Sequence, residues 1–209
     1  MSGIHAGVLS GTAQGPILLS TSSGSAVGTT ALVINIPVGV LSGHLLVAVM
    51  CSSVNSNQTW GGDTGWTERL DQNAPANIRV ATLIAGSAEP SSYTFTISAG
   101  GNLQGFILAF ANASYDNVGV CGTSTLSNPV NAGSTTFSVS GLLLGFFAQT
   151  VASGTFSAPT GMNLVIADTN LTSPSATVFI ENGVSGATGI RTSTSSASGN
   201  SSACLIGLV

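Results

Sequence analysis

No stretch of this chain long enough for a helix carries apolar residues at a 3.6-residue period, and glycine, present 27 times in 209 residues, interrupts too often. What remains is a succession of short apolar or alternating runs separated by Gly, Ser and Asn. That pattern predicts strands and turns, and so an all-β chain. ALVINI (31–36) alternates, PVGVLSG (37–43) turns, and HLLVAVMCS (44–52) reads as a fully buried strand. NSNQTWGGDTG (55–65) is expected to be a loop. WTERLDQ (66–72), IRVATLIAG (78–86), YTFTIS (93–98) and LQGFILAFANA (103–113) are expected to be strands, with AGGN (99–102) as the turn between the last two. The longest apolar stretches, LLVAVMC (45–51) and LLLGFFA (142–148), fall far short of the roughly 20 residues that a membrane helix needs. Residues 1–30 are Gly, Ser, Thr and Ala around PILLS (16–20). They are expected to form an extended arm lying on a neighbour or along the chain's own sheet.

The run EPSSYTFT (89–96) shows how plainly the strands are written. Pro90 is barred from a central ladder and marks a strand start. Ser91 and Ser92 suit a turn. Tyr93 and Phe95 then face one way, Thr94 and Thr96 the other. Glu89 is a rare charge here and is expected to hold the turn by accepting backbone N–H groups.

An internal repeat runs through the chain at an offset close to 97 residues. GHLLVAVMCS (43–52) matches GLLLGFFAQT (141–150), and DTGWTERLDQ (63–72) matches APTGMNLVIADT (158–169). IRVATLIAG (78–86) matches SATVFIENG (175–183), and GFILAFA (105–111) matches ACLIGLV (203–209). Each half alone would leave a large apolar face in water, so both are expected to share one core. The expected fold is an antiparallel β-sandwich, jelly-roll-like, built from two pseudo-repeats, about 31–113 and 133–209. Its domain plan is an arm over 1–30 and a single domain over 31–209.

Charge decides which partners are plausible. Seven acidic residues and three arginines (Arg69, Arg79, Arg191) give a net charge of −4, and no lysine is present. Affinity for nucleic acid, or for an anionic membrane surface, comes mainly from clustered Lys and Arg, so neither partner is expected. A mean hydropathy of +0.48 with 5% charged residues suits a surface largely covered by other subunits. The N-terminus lacks the basic start and continuous apolar stretch of a secretion signal. Cys51, Cys121 and Cys204 show no CxxC or metal spacing and read as reduced, buried thiols.

Catalytic chemistry finds little footing. His5 lies in the expected arm, and His44 opens a buried strand. No GxSxG, phosphate loop or calcium loop occurs. Of the carboxylates Asp63, Glu68, Asp71, Glu89, Asp116, Asp168 and Glu181, Glu68 and Asp71 flank Arg69 on what reads as a solvated strip. No enzyme activity, cofactor or metal is expected. Trp66 is read as a core anchor at a strand start. Trp60, with Asn57 and Gln58, is a candidate loop for a ligand or partner, because an indole face can stack on a sugar. Ranks of Thr at a short repeat, which ice binding needs, are missing.

The series GHLLVAVM, TGWTERL, EPSSYTFT and GFILAFANA resembles a β-sandwich module of tailed-phage virion proteins, well over 43–113 and over 141–209 only through the repeat. His44 stands where that module carries an acidic residue, and GGDTGW (61–66) replaces its Pro-Gly-Trp. The resemblance implies a virion structural protein made in the bacterial host cytoplasm. The leading expectation is a capsid decoration, or cement, protein on the capsid surface. Its partners would be the major capsid protein and itself, as a dimer or trimer. Its assembly contacts would be Ile4, Val8, Leu9, Ile17, Leu18 and Leu19 of the arm. The alternative is a tail-fibre or receptor-binding protein that recognises a host glycan through Asn57, Gln58 and Trp60. A small hydrolase or lectin-like protein has the least support.

Overall fold

A computed structural model describes residues 14–62, 64–126, 128–168 and 174–209, and those residues contain strands but no helix. The first half of the chain forms one antiparallel sheet. Its strands are β1 (Ile17–Asn35), β2 (Leu45–Ser52), β3 (Trp60–Gly61), β4 (Thr67–Gln72), β5 (Asn77–Ile84) and β6 (Ser92–Ala111). The order is β1-β6-β2-β5-β4, with β3 beside β6. The second half forms the other sheet from β7 (Tyr115–Val118), β8 (Gly122–Ser124), β10 (Thr136–Gln149), β11 (Asn163–Ala167), β12 (Ser175–Ala187) and β14 (Ser201–Leu208). Its order is β11-β12-β10-β14-β7, with β8 also on β14. β9 (Val130–Ala132) and β13 (Arg191–Ser193) make a separate two-stranded ribbon.

The two sheets pack face to face as a β-sandwich, β2 against β10, β6 against β12 and β5 against β14. Alternate side chains of both inner faces build the central core: Val47, Val49, Phe106, Phe110, Phe146, Val178 and Ile206 among them, all essentially inaccessible. Each fully buried Phe or Val there contributes about 1.5–3 kcal/mol over an exposed position. Each sheet comes from one contiguous half of the chain, so the jelly-roll likeness stops at the two packed sheets. In a jelly roll the strands alternate between sheets.

The repeat seen in sequence is a repeat of topology and register. Leu45 of β2 pairs Phe110 of β6 and Ile84 of β5. Leu142 of β10, 97 positions later, pairs Leu208 of β14 and Asn182 of β12, each 98 positions after its counterpart. Even a β-bulge recurs: Arg69 is the extra residue of β4 against β5, and Val165, 96 positions later, is the extra residue of β11 against β12. β7 takes the place in the second sheet that β1 takes in the first, an equivalence the sequence comparison did not find.

The outer face of each sheet is also covered. β1 and β6 pair along nearly their whole length, through register shifts near Val27–Ala31. There the ribbon bends, and its far half folds back over the first sheet. Leu32, Ile34, Phe95 and Ile97 thereby pack on Met50, Ala48 and Ile107. Close approach dictates two glycines. A Cβ on Gly24 would lie 2.2 Å from the Val33 carbonyl oxygen, and one on Gly105 would lie 2.9 Å from both Ile34 Cδ1 and Met50 Cγ. On the second sheet, Phe137, Phe156, Met162 and β9 cover Phe147, Phe179 and Leu205.

Two expectations change here. AGGN (99–102) is part of continuous β6, because the bend in the ribbon takes the place of a hairpin turn. The expected boundary at residue 30 falls inside β1, so the chain from Ile17 runs along its own sheet. LLVAVMC and LLLGFFA are buried strands, as read.

Candidate functional site

The residues expected to make assembly contacts divide by position. Ile4, Val8 and Leu9 lie outside the described residues. Ile17 and Leu18 are half-buried in β1, with Leu18 packed on the inter-sheet core. Leu19 is the bulged residue between Leu18 and Ser20 and stays exposed. Next to it, the Ser20 hydroxyl donates to the Val38 carbonyl at 2.7 Å. Val38 and Leu41, in the PVGVLSG turn, are 88% and 66% exposed. The His44 Nδ1 accepts the Leu41 N–H at 3.1 Å, and Gly43 donates to Ala85 at 2.8 Å, which sets the turn beside Ile84, itself 57% exposed. One end of the sandwich thus displays Leu19, Val38, Leu41 and Ile84. Sequence reading took 37–43 as a plain turn. The available signal was two aliphatic residues in a turn that no core required.

Glu89 lines the shallow depression under this turn, together with Ile36, Pro37 and Gly86. Its carboxylate accepts the Gly86 N–H and the Tyr93 hydroxyl. The expected turn-holding role is therefore met with one backbone N–H and one side chain. Tyr93 and Phe95 share a face, and both meet the Trp66 ring edge-on, at 5.1 and 5.5 Å between centroids. Trp66 is the core anchor it was read to be.

The candidate loop is less open than its composition suggests. Asn57 is exposed, but Gln58 is buried, its side chain accepting from Ser98 and donating to Ser56. Trp60 pairs with Ile97 as β3 and is only 5% exposed in the outer-face core. Its ring offers no free face for a sugar.

The charged groups are spread through the structure and are mostly structural. Glu68 pairs at 3.1 Å with Arg79, which is 4% exposed on β5. Arg69 leaves the strip it shares with Glu68 and Asp71. Its guanidinium sits 4.1 Å from the Tyr115 ring centroid, and its Nε donates to Thr82 at 2.8 Å. Glu68 stays exposed while Arg69 and Asp71 are half-buried, and Glu68 is the carboxylate that pairs the buried Arg79. Burial, with Glu68 nearby, pushes the Asp71 carboxyl above its ordinary value against the pull of Arg79. Glu181 holds Arg191 at 2.7 Å, and Asp116 accepts the backbone N–H and hydroxyl of Ser138. Asp63 lies outside the described residues.

Cys51 and Cys204 are buried free thiols, and Cys121 is a half-buried one. Burial raises the Cys51 thiol far above its ordinary value, while a hydrogen bond with Cys121, then burial, raises Cys204. Among the described residues no three His, Cys, Asp or Glu side chains come together as a metal site would need. Compared with protein-family models, curated proteins and solved structures, the chain matches none.

Proposed function

We propose that the protein is a structural component of a tailed-phage virion, a capsid decoration protein that binds the outer face of the major capsid protein lattice and stabilises the head. It acts there as a homo-oligomer, without catalysis or cofactor. The observation that carries this reading is the surface itself. Leu19, Val38, Leu41 and Ile84 stand exposed at one end of a charge-poor sandwich. Large aliphatic side chains gathered on a surface mark an interaction site. The charges that remain are largely occupied inside the fold, so attachment would rest on apolar contact and backbone hydrogen bonds. Such an attachment is insensitive to ionic strength, because there are few ion pairs to screen. The alternative, a receptor-binding protein gripping a glycan, has lost its stacking platform with the burial of Trp60.

The reading is tested by adding the purified chain to particles that lack it, then washing with molar salt. Retention through the wash by the native chain, and loss with Val38→Asp and Leu41→Asp together, is the expected result. Release by salt alone would contradict it.

A further inference from the structure

We propose that two copies of the chain join through β11, edge to edge and antiparallel about a two-fold axis. This goes beyond the virion reading, because it concerns the isolated chain and names the strand. β11 ends the second sheet: β12 pairs with one side of it, and among the described residues no strand pairs with the other. The outward main-chain groups of such a strand are a template for another chain, which natural sheets block with charge or proline. β11 reads Asn163-Leu164-Val165-Ile166-Ala167 and has neither.

The first half of the molecule shows what a guarded version looks like. The equivalent strand, β4, reads Thr67-Glu68-Arg69-Leu70-Asp71-Gln72. At the shared bulge β4 carries Arg69 and β11 carries Val165. The packing of the sheets sets β4 across from β7, and Arg69 closes that corner by stacking on Tyr115. The other corner, where β11 lies across from β1, has no such pair among the described residues. Leu18, Val165 and Ile166 reach the inter-sheet core from it, and Leu164 remains 60% exposed. The bulge is common to both strands, so it does not explain the difference. The side chains do.

The occupant follows from symmetry. A two-fold contact sets one patch against itself, so the strand must be self-complementary. Pairing β11 with its copy about the point between Val165 and Ile166 sets Val165 opposite Ile166 twice on the inner face and Leu164 opposite Ala167 twice on the outer, all of them apolar pairs. The same operation on β4, centred between Arg69 and Leu70, would set Glu68 opposite Asp71 twice, and like charges directly opposite are destabilising. One edge of the molecule is therefore compatible with a copy of itself, and its pseudo-equivalent is not.

Sedimentation velocity and light scattering of the purified full chain across a dilution series test this. The native chain is expected to reach a dimer. Leu164→Lys, and separately Leu164→Glu, at a position 60% exposed, should weaken self-association at least about ten-fold, or 1.4 kcal/mol, with the melting temperature of the dissociated chain unchanged. Val120→Lys, at an 80% exposed site by the opposite edge, should leave the dimer intact. A native monomer, a trimer, a dimer that survives both Leu164 variants, or equal dispersal by Val120→Lys would overturn the proposal. A monomer still abundant on particles would sink it and spare the decoration reading. A dimer absent from particles would do the reverse.

Discussion

At the scale of single residues, this chain spends its few charges on holding turns and edges. Glu89 joins the Gly86 N–H to the Tyr93 hydroxyl, and so ties the 84–91 turn to the aromatic cluster around Trp66. Glu89→Ala should cost about 1–2 kcal/mol in urea unfolding, as expected for hydrogen bonds to a charged acceptor in a part-buried setting. Particle attachment by the rest of the surface should be unaffected. Asp71 behaves in the opposite sense. Its carboxyl titrates higher in the folded chain than in the unfolded one, so the folded state binds the proton more tightly there. Between the two values the unfolded state holds fewer protons, and stability falls as pH rises through that window. Asp71→Asn should therefore stabilise the protein at neutral pH. The gain should vanish on acidification below the ordinary carboxylate range. A gain that is the same at all pH values would show that titration is not its source.

At the scale of elements, the strands of the two inner faces were legible, and so were ALVINI (31–36) and YTFTIS (93–98) as strands, but not their folding back as a cover. β2, β10 and the end of β14 could be read because burial on both faces leaves a nearly continuous apolar run, and β5 and β12, which carry Arg79, Thr82 and Thr177, by their likeness within the repeat. Their repeat at about 97 residues was read as matched segments, and the structure shows in addition that the two halves share a pairing register to within one residue. β1 was read as an arm because Ser, Thr and Gly dominate its first half. It holds its place by pairing with β6, and backbone pairing leaves little trace in side chains. AGGN looked like a turn because two glycines fit both a turn and a bent strand. Trp60 was left as a candidate contact because nothing local shows that Ile97 lies beside it, 37 positions away. The folded-back ribbon gives its own test. Gly24→Ala would drive a Cβ into the Val33 carbonyl, which backbone cannot easily yield. It should destabilise by about 1–3 kcal/mol or more, the cost of overpacking. Gly28→Ala, in the same ribbon, meets no neighbour but has a positive φ of 61° and should cost about 1 kcal/mol. Equal effects of the two would argue against the ribbon lying on itself.

At the scale of the whole molecule, the two halves are alike in topology and differ in how their edges are finished. They share one core: Phe106 and Phe110 from the first half, Phe146 and Ile206 from the second. The Ser202 hydroxyl also donates across the halves to the Ala76 carbonyl at 2.7 Å. Neither half can bury its inner face alone. The full chain should unfold in a single cooperative transition. Fragments cut near residue 113 should be unfolded or aggregated singly and regain structure when mixed. Two separate transitions, or one half folding alone, would show two domains. The same economy of charge leaves aliphatic residues at one end and along β11, and it is the basis for placing the chain in a lattice of subunits. The most direct measurement is the copy number of the chain in purified particles, counted by quantitative mass spectrometry against the major capsid protein. A number of the same order as the capsid protein is the predicted result. A handful of copies per particle, or none, would contradict the assignment to the capsid surface.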